Sequence, residues 1–123
     1  MSYRAYVPNR GDLVHLNFSP SAGHEMADRH YGLVLTPVTY QRKTGMAVVC
    51  AITSRARGGP FEVRLPAGLL PPKRGVGDVA SVVVADAVRQ VDFREREIEF
   101  VAPAPADVIE EVIDVLFAVL EAE

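Results

Sequence analysis

The sequence predicts a mainly β protein, an antiparallel barrel followed by one α-helix, and two observations lead there. Up to Phe93 the apolar residues fall in five or six short, β-branched or aliphatic runs bounded by Gly, Pro or charged turns, with no amphipathic helix between them. Beyond Pro105 the apolar spacing changes to that of a helix.

Asp12 to Phe18 alternates, with Val14, Leu16 and Phe18 on one side and His15 and Asn17 on the other, the period of a half-buried strand. Gly32 to Thr36, Ala47 to Thr53, Phe61 to Leu65 and Ser81 to Ala85 are the next strands, and Val88 to Phe93 is a further candidate. Leu70 to Asp78 (LPPKRGVGD), with two prolines, two glycines and two bases, is expected to be a mobile, exposed loop. At the end, Pro105 suits the first turn of a helix and Asp107 with Glu110 resembles a capping pair. Val108, Ile109, Val112, Ile113, Leu116, Phe117 and Leu120 then form an apolar stripe, with Glu110, Glu111 and Asp114 away from it. That helix is expected to pack on the barrel or on a partner.

A chain of 123 residues suits a single domain spanning 1–123. The longest apolar run near the middle, Met46 to Ile52, is too short for a membrane span, and MSYRAYVPNRGD has no signal-peptide pattern, so a cytoplasmic protein is expected. The single cysteine, Cys50 in MAVVCAIT, excludes an internal disulfide and reads as a small buried apolar residue. The net charge of −3 hides a division: twelve bases against seven acids up to Arg94 leave +5, while one base against nine acids thereafter leaves −8. A positive body suits contact with a polyanion, and the acidic end reads equally well as the solvated face of a helix. His15, His24, His30 and Cys50 lack zinc-type spacing, no carboxylate cluster suggests a two-metal nuclease, and there is no phosphate-cradling P-loop, so no metal or cofactor is expected.

Five blocks stand in a fixed order: YVPNRGDLVHLNFSP, GHEMADRHYGLVLTP, KTGMAVVCAITS, GGPFEV and VVVADAVRQVDF. In this order and spacing, from Tyr6 to about Phe93, the chain resembles the MazF/PemK/Kid toxins. That resemblance implies an SH3-like, CcdB/PemK-type barrel and a metal-independent endoribonuclease that cuts single-stranded RNA at a short sequence. It also implies 2',3'-cyclic phosphate and 5'-hydroxyl products, a homodimer, and a cognate antitoxin whose acidic tail covers the substrate groove.

RNA can be cut without metal when its own 2'-hydroxyl attacks the adjacent phosphorus, which needs a base, an acid and cationic donors for the developing charge. In the family the loop before the second strand usually ends in Arg-Pro, with the arginine regarded as catalytic. Here His30 holds that arginine's position, Tyr31 holds the proline's, and Arg29 stands one residue earlier. Successive residues of an extended chain point to opposite faces, so Arg29 can replace the missing arginine only if the local backbone departs from a strand. The catalytic candidates are Arg29 as a phosphate clamp, His30 as general base or acid, Thr53 at the family's substrate-orienting threonine position, and Glu25 at its acidic loop position. A strand-end threonine also commonly satisfies a turn, and Glu25 is equally a partner for Arg29.

Ser54, Arg55, Arg57, Tyr31, Asp86 and Arg89 are the substrate-binding candidates; in VADAVRQ, Ala87 replaces the family's usual glutamine. Arg42, Lys43, Lys73 and Arg74 add loop cations for phosphates, and Tyr31, Tyr40 and Phe18 are aromatic candidates for base stacking, although Phe18 alternates with the core. Two readings from another class stand beside the nuclease: an attenuated toxin that binds RNA, and a CcdB-like gyrase inhibitor. The second lacks the C-terminal tryptophan of such inhibitors, since this chain has no Trp and ends LFAVLEAE.

Overall fold

The computed structural model describes residues 6–19, 23, 29–71 and 80–122, and among them six strands form one sheet. The elements are β1 (Asp12–Asn17), β2 (Arg29–Val34), α1 (Val38–Thr44), β3 (Met46–Thr53), β4 (Glu62–Arg64), β5 (Val82–Asp92), β6 (Glu99–Pro103) and α2 (Ala106–Glu121). The strand order is β4-β5-β3-β2-β1-β6 with every pair antiparallel, and the sheet curls into a half-barrel with α2 against it. This is the barrel-plus-helix architecture that the alternating runs predict.

The alternation of β1 sorts its residues between two cores. Val14, Leu16 and Phe18 join Val34, Val49, Ala51, Val91 and Phe93 on one face, while Leu13 joins Leu33, Cys50, Ile52, Val63 and Val83 on the other. The second face is the one α2 covers, through buried Val108 and Val112. Gly11 makes that approach possible. Its φ is +90°, and a Cβ there would stand 2.5 Å from Cδ1 of Ile109.

Four elements differ from expectation. The two runs 81–85 and 88–93 are one strand, β5, whose pairing with β3 shifts between Cys50 and Ile52; the irregularity absorbs the polar break at Asp86. β6 was not expected, because an edge strand with Pro103 and an exposed Phe100 carries little pattern. α1 was not expected either, and it places Arg42 and Lys43 in the last turn of a helix instead of on a loop. It starts after Pro37 and stops at Gly45, whose φ of 72° lets its N–H reach the Gln41 carbonyl at 2.8 Å. Lastly, α2 has Pro105 as its N-cap residue with no side-chain cap, so Asp107 and Glu110 do not form the expected capping pair; Asp107 sits in the first turn, where the helix dipole favours its charge.

No helix among the described residues is long and apolar enough to cross a membrane. Lys73, Arg74 and most of the 70–78 loop lie outside the described residues, as do His24 and Glu25.

Candidate active site

The strand β2 decides which candidates meet. It is regular from Arg29 onward, pairing Asn17 with Arg29, Leu16 with His30 and His15 with Tyr31. Adjacent side chains therefore leave on opposite faces, and Arg29 and His30 do not converge. The expected pair of a guanidinium and an imidazole from neighbouring positions is corrected at this point: each belongs to a different constellation.

On the face shared with Leu16 and Phe18, the His30 ring lies 6.5 Å from the Phe18 ring, centroid to centroid. β2 pairs with β3 as far as Tyr31 and Ile52, and His30 and Thr53 are the next residues of their strands beyond that pair, both half-buried. The Thr53 hydroxyl oxygen accepts the Arg55 amide at 3.1 Å, so it fixes the first bend of the following loop, as a strand-end threonine commonly does. Ser54, half-buried, and exposed Arg55 follow it.

Arg89 reaches the same place from β5. It pairs with Val49, in the face of Val91 and Phe93, and its guanidinium donates to the Phe18 carbonyl, although β5 and β1 are separated by β3 and β2 in the sheet. Phe18 is thus the hub: its ring neighbours His30 and its carbonyl holds Arg89. Gly32 makes the hub possible, since a Cβ there would stand 3.3 Å from Leu16 Cδ2, 3.6 Å from Phe18 Cζ and 3.2 Å from the Cys50 carbonyl. The burial of Phe18 at 1% exposure removes it from the stacking candidates.

The opposite face holds Arg29, Tyr31 and His15. Arg29 donates from Nε to His15 Nδ1 at 3.3 Å and from Nη1 to the Glu97 carboxylate at 3.2 Å, while Nη2 approaches His15, the Glu97 carbonyl and Glu99. Glu97 has φ of 51°, a left-handed conformation uncommon outside glycine, in the turn between β5 and β6. Arg29 ties β2 to that turn. The His15 ring lies 4.9 Å from the Tyr31 ring. Burial, then the Arg29 charge, lower the His15 pKa below its ordinary value, which keeps Nδ1 an acceptor for the guanidinium. Tyr31 packs on the α2-side core beside this cluster, so it does not share the His30 face.

The basic loop after Thr53 has a second pin that sequence reasoning missed. Glu62 accepts the Arg57 amide at 3.0 and 3.2 Å and the Gly58 amide at 2.9 Å, with Gly58 at φ of 73°. The available signal was a carboxylate shortly after a Gly-Gly turn, within reach of the turn's unpaired amides. Asp86 is exposed on β5; burial first, and then its charge, push the Cys50 thiol up to about 12, which fits an inert buried cysteine. Tyr40 is held through its hydroxyl, which accepts from Gln90 Nε2 at 2.7 Å. Among the described residues, no group of three or more His, Cys, Asp or Glu is arranged to hold a metal ion.

Fold and site together define a small curled β-sheet protein with an imidazole and a guanidinium at Phe18 and, at the end of β3, a threonine followed by a loop that carries Arg55 and Arg57. Residues 9–120 match the family model described as PemK-like, MazF-like toxin of type II toxin-antitoxin system, and the chain belongs to that family. It is 34% identical over 114 residues to the endoribonuclease toxin MazF of Escherichia coli K12, covering 90% of this chain and 95% of that protein. Among solved structures it is similar to MazF from Deinococcus radiodurans (49% identity, TM-score 0.82, 94% of this chain and 98% of that one). It is also similar to a chain of a MazE-MazF structure from the same organism (44% identity, TM-score 0.76, 97% of this chain and 100% of that one).

Proposed function

We propose that this protein is a sequence-specific, metal-independent endoribonuclease toxin that cuts single-stranded RNA by attack of the 2'-hydroxyl on the neighbouring phosphorus. The observation that supports this reading is the His30 ring beside the Phe18 ring on one face of the sheet, with Arg89 tied to the Phe18 carbonyl. The endoribonuclease names of its relatives support the same activity.

In this scheme the His30 imidazole takes the 2'-hydroxyl proton or returns one to the leaving 5'-oxygen, the exchange imidazole performs near neutral pH. Glu25, in the loop at the family's acidic position, is the proposed second proton-transfer group. Thr53 and Ser54 orient the phosphate, and Arg89 contributes positive charge as the phosphorane becomes more negative. Arg55 and Arg57 hold flanking phosphates. Arg29 is assigned a supporting role, because its guanidinium is already engaged by His15 and Glu97 on the opposite face. Asp86 is retained as a secondary contact.

The partners follow from the same family. The protein acts as a homodimer in the cytoplasm and is neutralised by a cognate antitoxin, and the MazE-MazF structures among its neighbours support the antitoxin part of this reading. The antitoxin presents acidic side chains to Arg55 and Arg57, so charge reversal at both weakens RNA and antitoxin binding together.

The deciding experiment incubates purified protein with mixed-sequence single-stranded RNA in EDTA and analyses the ends. Discrete fragments with 5'-hydroxyl and 2',3'-cyclic phosphate termini, absent with His30→Ala, are expected. RNA that is bound but left intact would reject the enzyme in favour of the attenuated binder.

A further inference from the structure

The exposed loop after β3 hangs on one carboxylate whose own backbone belongs to the sheet. Glu62, the first residue of β4, pairs with Val84 of β5, and the Phe61 carbonyl before it accepts the Ala85 amide at 2.8 Å. Val63 beside it is buried, so the half-buried Glu62 side chain leaves on the other face. There its Oε1 accepts the Gly58 amide at 2.9 Å and the Arg57 amide at 3.2 Å, while Oε2 accepts the Arg57 amide at 3.0 Å. At the near end of the same stretch the Thr53 hydroxyl holds the Arg55 amide at 3.1 Å.

Two cations ride on this fastened backbone. Arg55 and Arg57 are exposed, and neither guanidinium forms an ion pair among the described residues. A carboxylate this close to two arginines could neutralise one of them, yet both oxygens of Glu62 are turned to main-chain amides. The acid shapes the loop and leaves its guanidinia to a ligand.

We propose that Glu62 is a positioning residue for RNA binding, which orders residues 55–58 before the substrate arrives and so presents the Arg55 and Arg57 guanidinia to neighbouring phosphates. The proposal rests on the ribonuclease reading above and names what sets the geometry of its phosphate-binding loop. A loop already ordered loses less freedom on binding, and the affinity gained comes from that difference. The sign of the effect separates this role from plain electrostatics. A negative charge beside two arginines repels a polyanion, so on charge alone its removal tightens RNA binding, whereas loss of the positioning contact weakens it.

The test measures, at low salt, binding of a mixed-sequence RNA with 2'-O-methyl groups throughout, which cannot be cut, to wild type, Glu62→Ala and Glu62→Gln, and to the same three in an Arg55→Ala/Arg57→Ala background. Glu62→Ala is expected to weaken binding about three- to tenfold. Glu62→Gln, which keeps one carbonyl oxygen for the loop amides, stays within about twofold of wild type. In the background without the two arginines Glu62→Ala has no further effect, a coupling that a general loss of stability would not produce. On cleavable RNA Glu62→Ala raises KM and leaves kcat unchanged. Unchanged or tighter binding by Glu62→Ala, or an equal loss with and without the arginines, overturns the assignment while leaving the nuclease intact. Wild-type protein that neither binds nor cuts RNA overturns the ribonuclease reading and this proposal with it.

Discussion

The two faces of β2 carry the same kinds of side chain and use them differently. Toward Phe18 stands His30, with a guanidinium brought from a distant strand. Toward His15 stand Arg29 and Tyr31, with a guanidinium enclosed by two acids and an imidazole. In the first arrangement the Arg89 guanidinium donates to a backbone carbonyl, and in the second the Arg29 guanidinium is ion-paired with Glu97 and Glu99. Under the proposed reading the first face meets RNA while the second ties β2 to the turn before β6, so the face a residue takes on the strand says more than its type.

The largest effect expected from breaking this contrast is at His30. His30→Ala should lower the cleavage rate by about 10²- to 10⁴-fold, the usual worth of a positioned proton-transfer group, with folding unchanged by circular dichroism. Arg89→Ala comes next, with a loss of about 10²-fold measured at saturating RNA, because it removes a charge from the site and frees the Phe18 carbonyl. A stability change is the expected response to Gly11→Ala. The left-handed φ and the Ile109 contact together cost roughly 1–3 kcal/mol, read by denaturant unfolding.

The smallest effect belongs to the Arg29 face. His15 has a pKa lowered by burial and by Arg29, so between its folded value and its ordinary value the unfolded chain binds the extra proton. The stabilisation from neutral His15 is complete above about pH 6.5 and is lost as pH falls through the depressed folded value. NMR titration should find His15 below the ordinary histidine value, and Arg29→Ala should move it upward. No movement would mean that the guanidinium is not where its hydrogen bonds place it.

Much of the fold was legible because alternation is local. β1 announces itself in DLVHLNF, and α2 in its stripe from Val108 to Leu120. β6 and α1 were illegible for opposite reasons. An exposed edge strand has no buried face to mark it, and a seven-residue helix completes too few turns for its period to stand out, although Pro37 and Gly45 bracket it. The site was half legible. His30, Thr53 and Arg89 are visible as positions in blocks of the sequence, yet the meeting of His30 and Arg89 at Phe18 depends on strand register and on the curl of the sheet, which sequence spacing does not encode. The partners of Arg29 could not have been read at all: Glu97 lies 68 residues away and reaches it only through the turn into β6.

The most direct test of the central claim is a single-turnover comparison of Arg29→Ala and His30→Ala on one RNA in EDTA. The two-face account predicts that Arg29→Ala cleaves within a few fold of wild type, having lost exposed ion pairs worth less than about 1 kcal/mol, while His30→Ala is nearly silent. The reverse pattern, with cleavage abolished by Arg29→Ala and retained by His30→Ala, would contradict it.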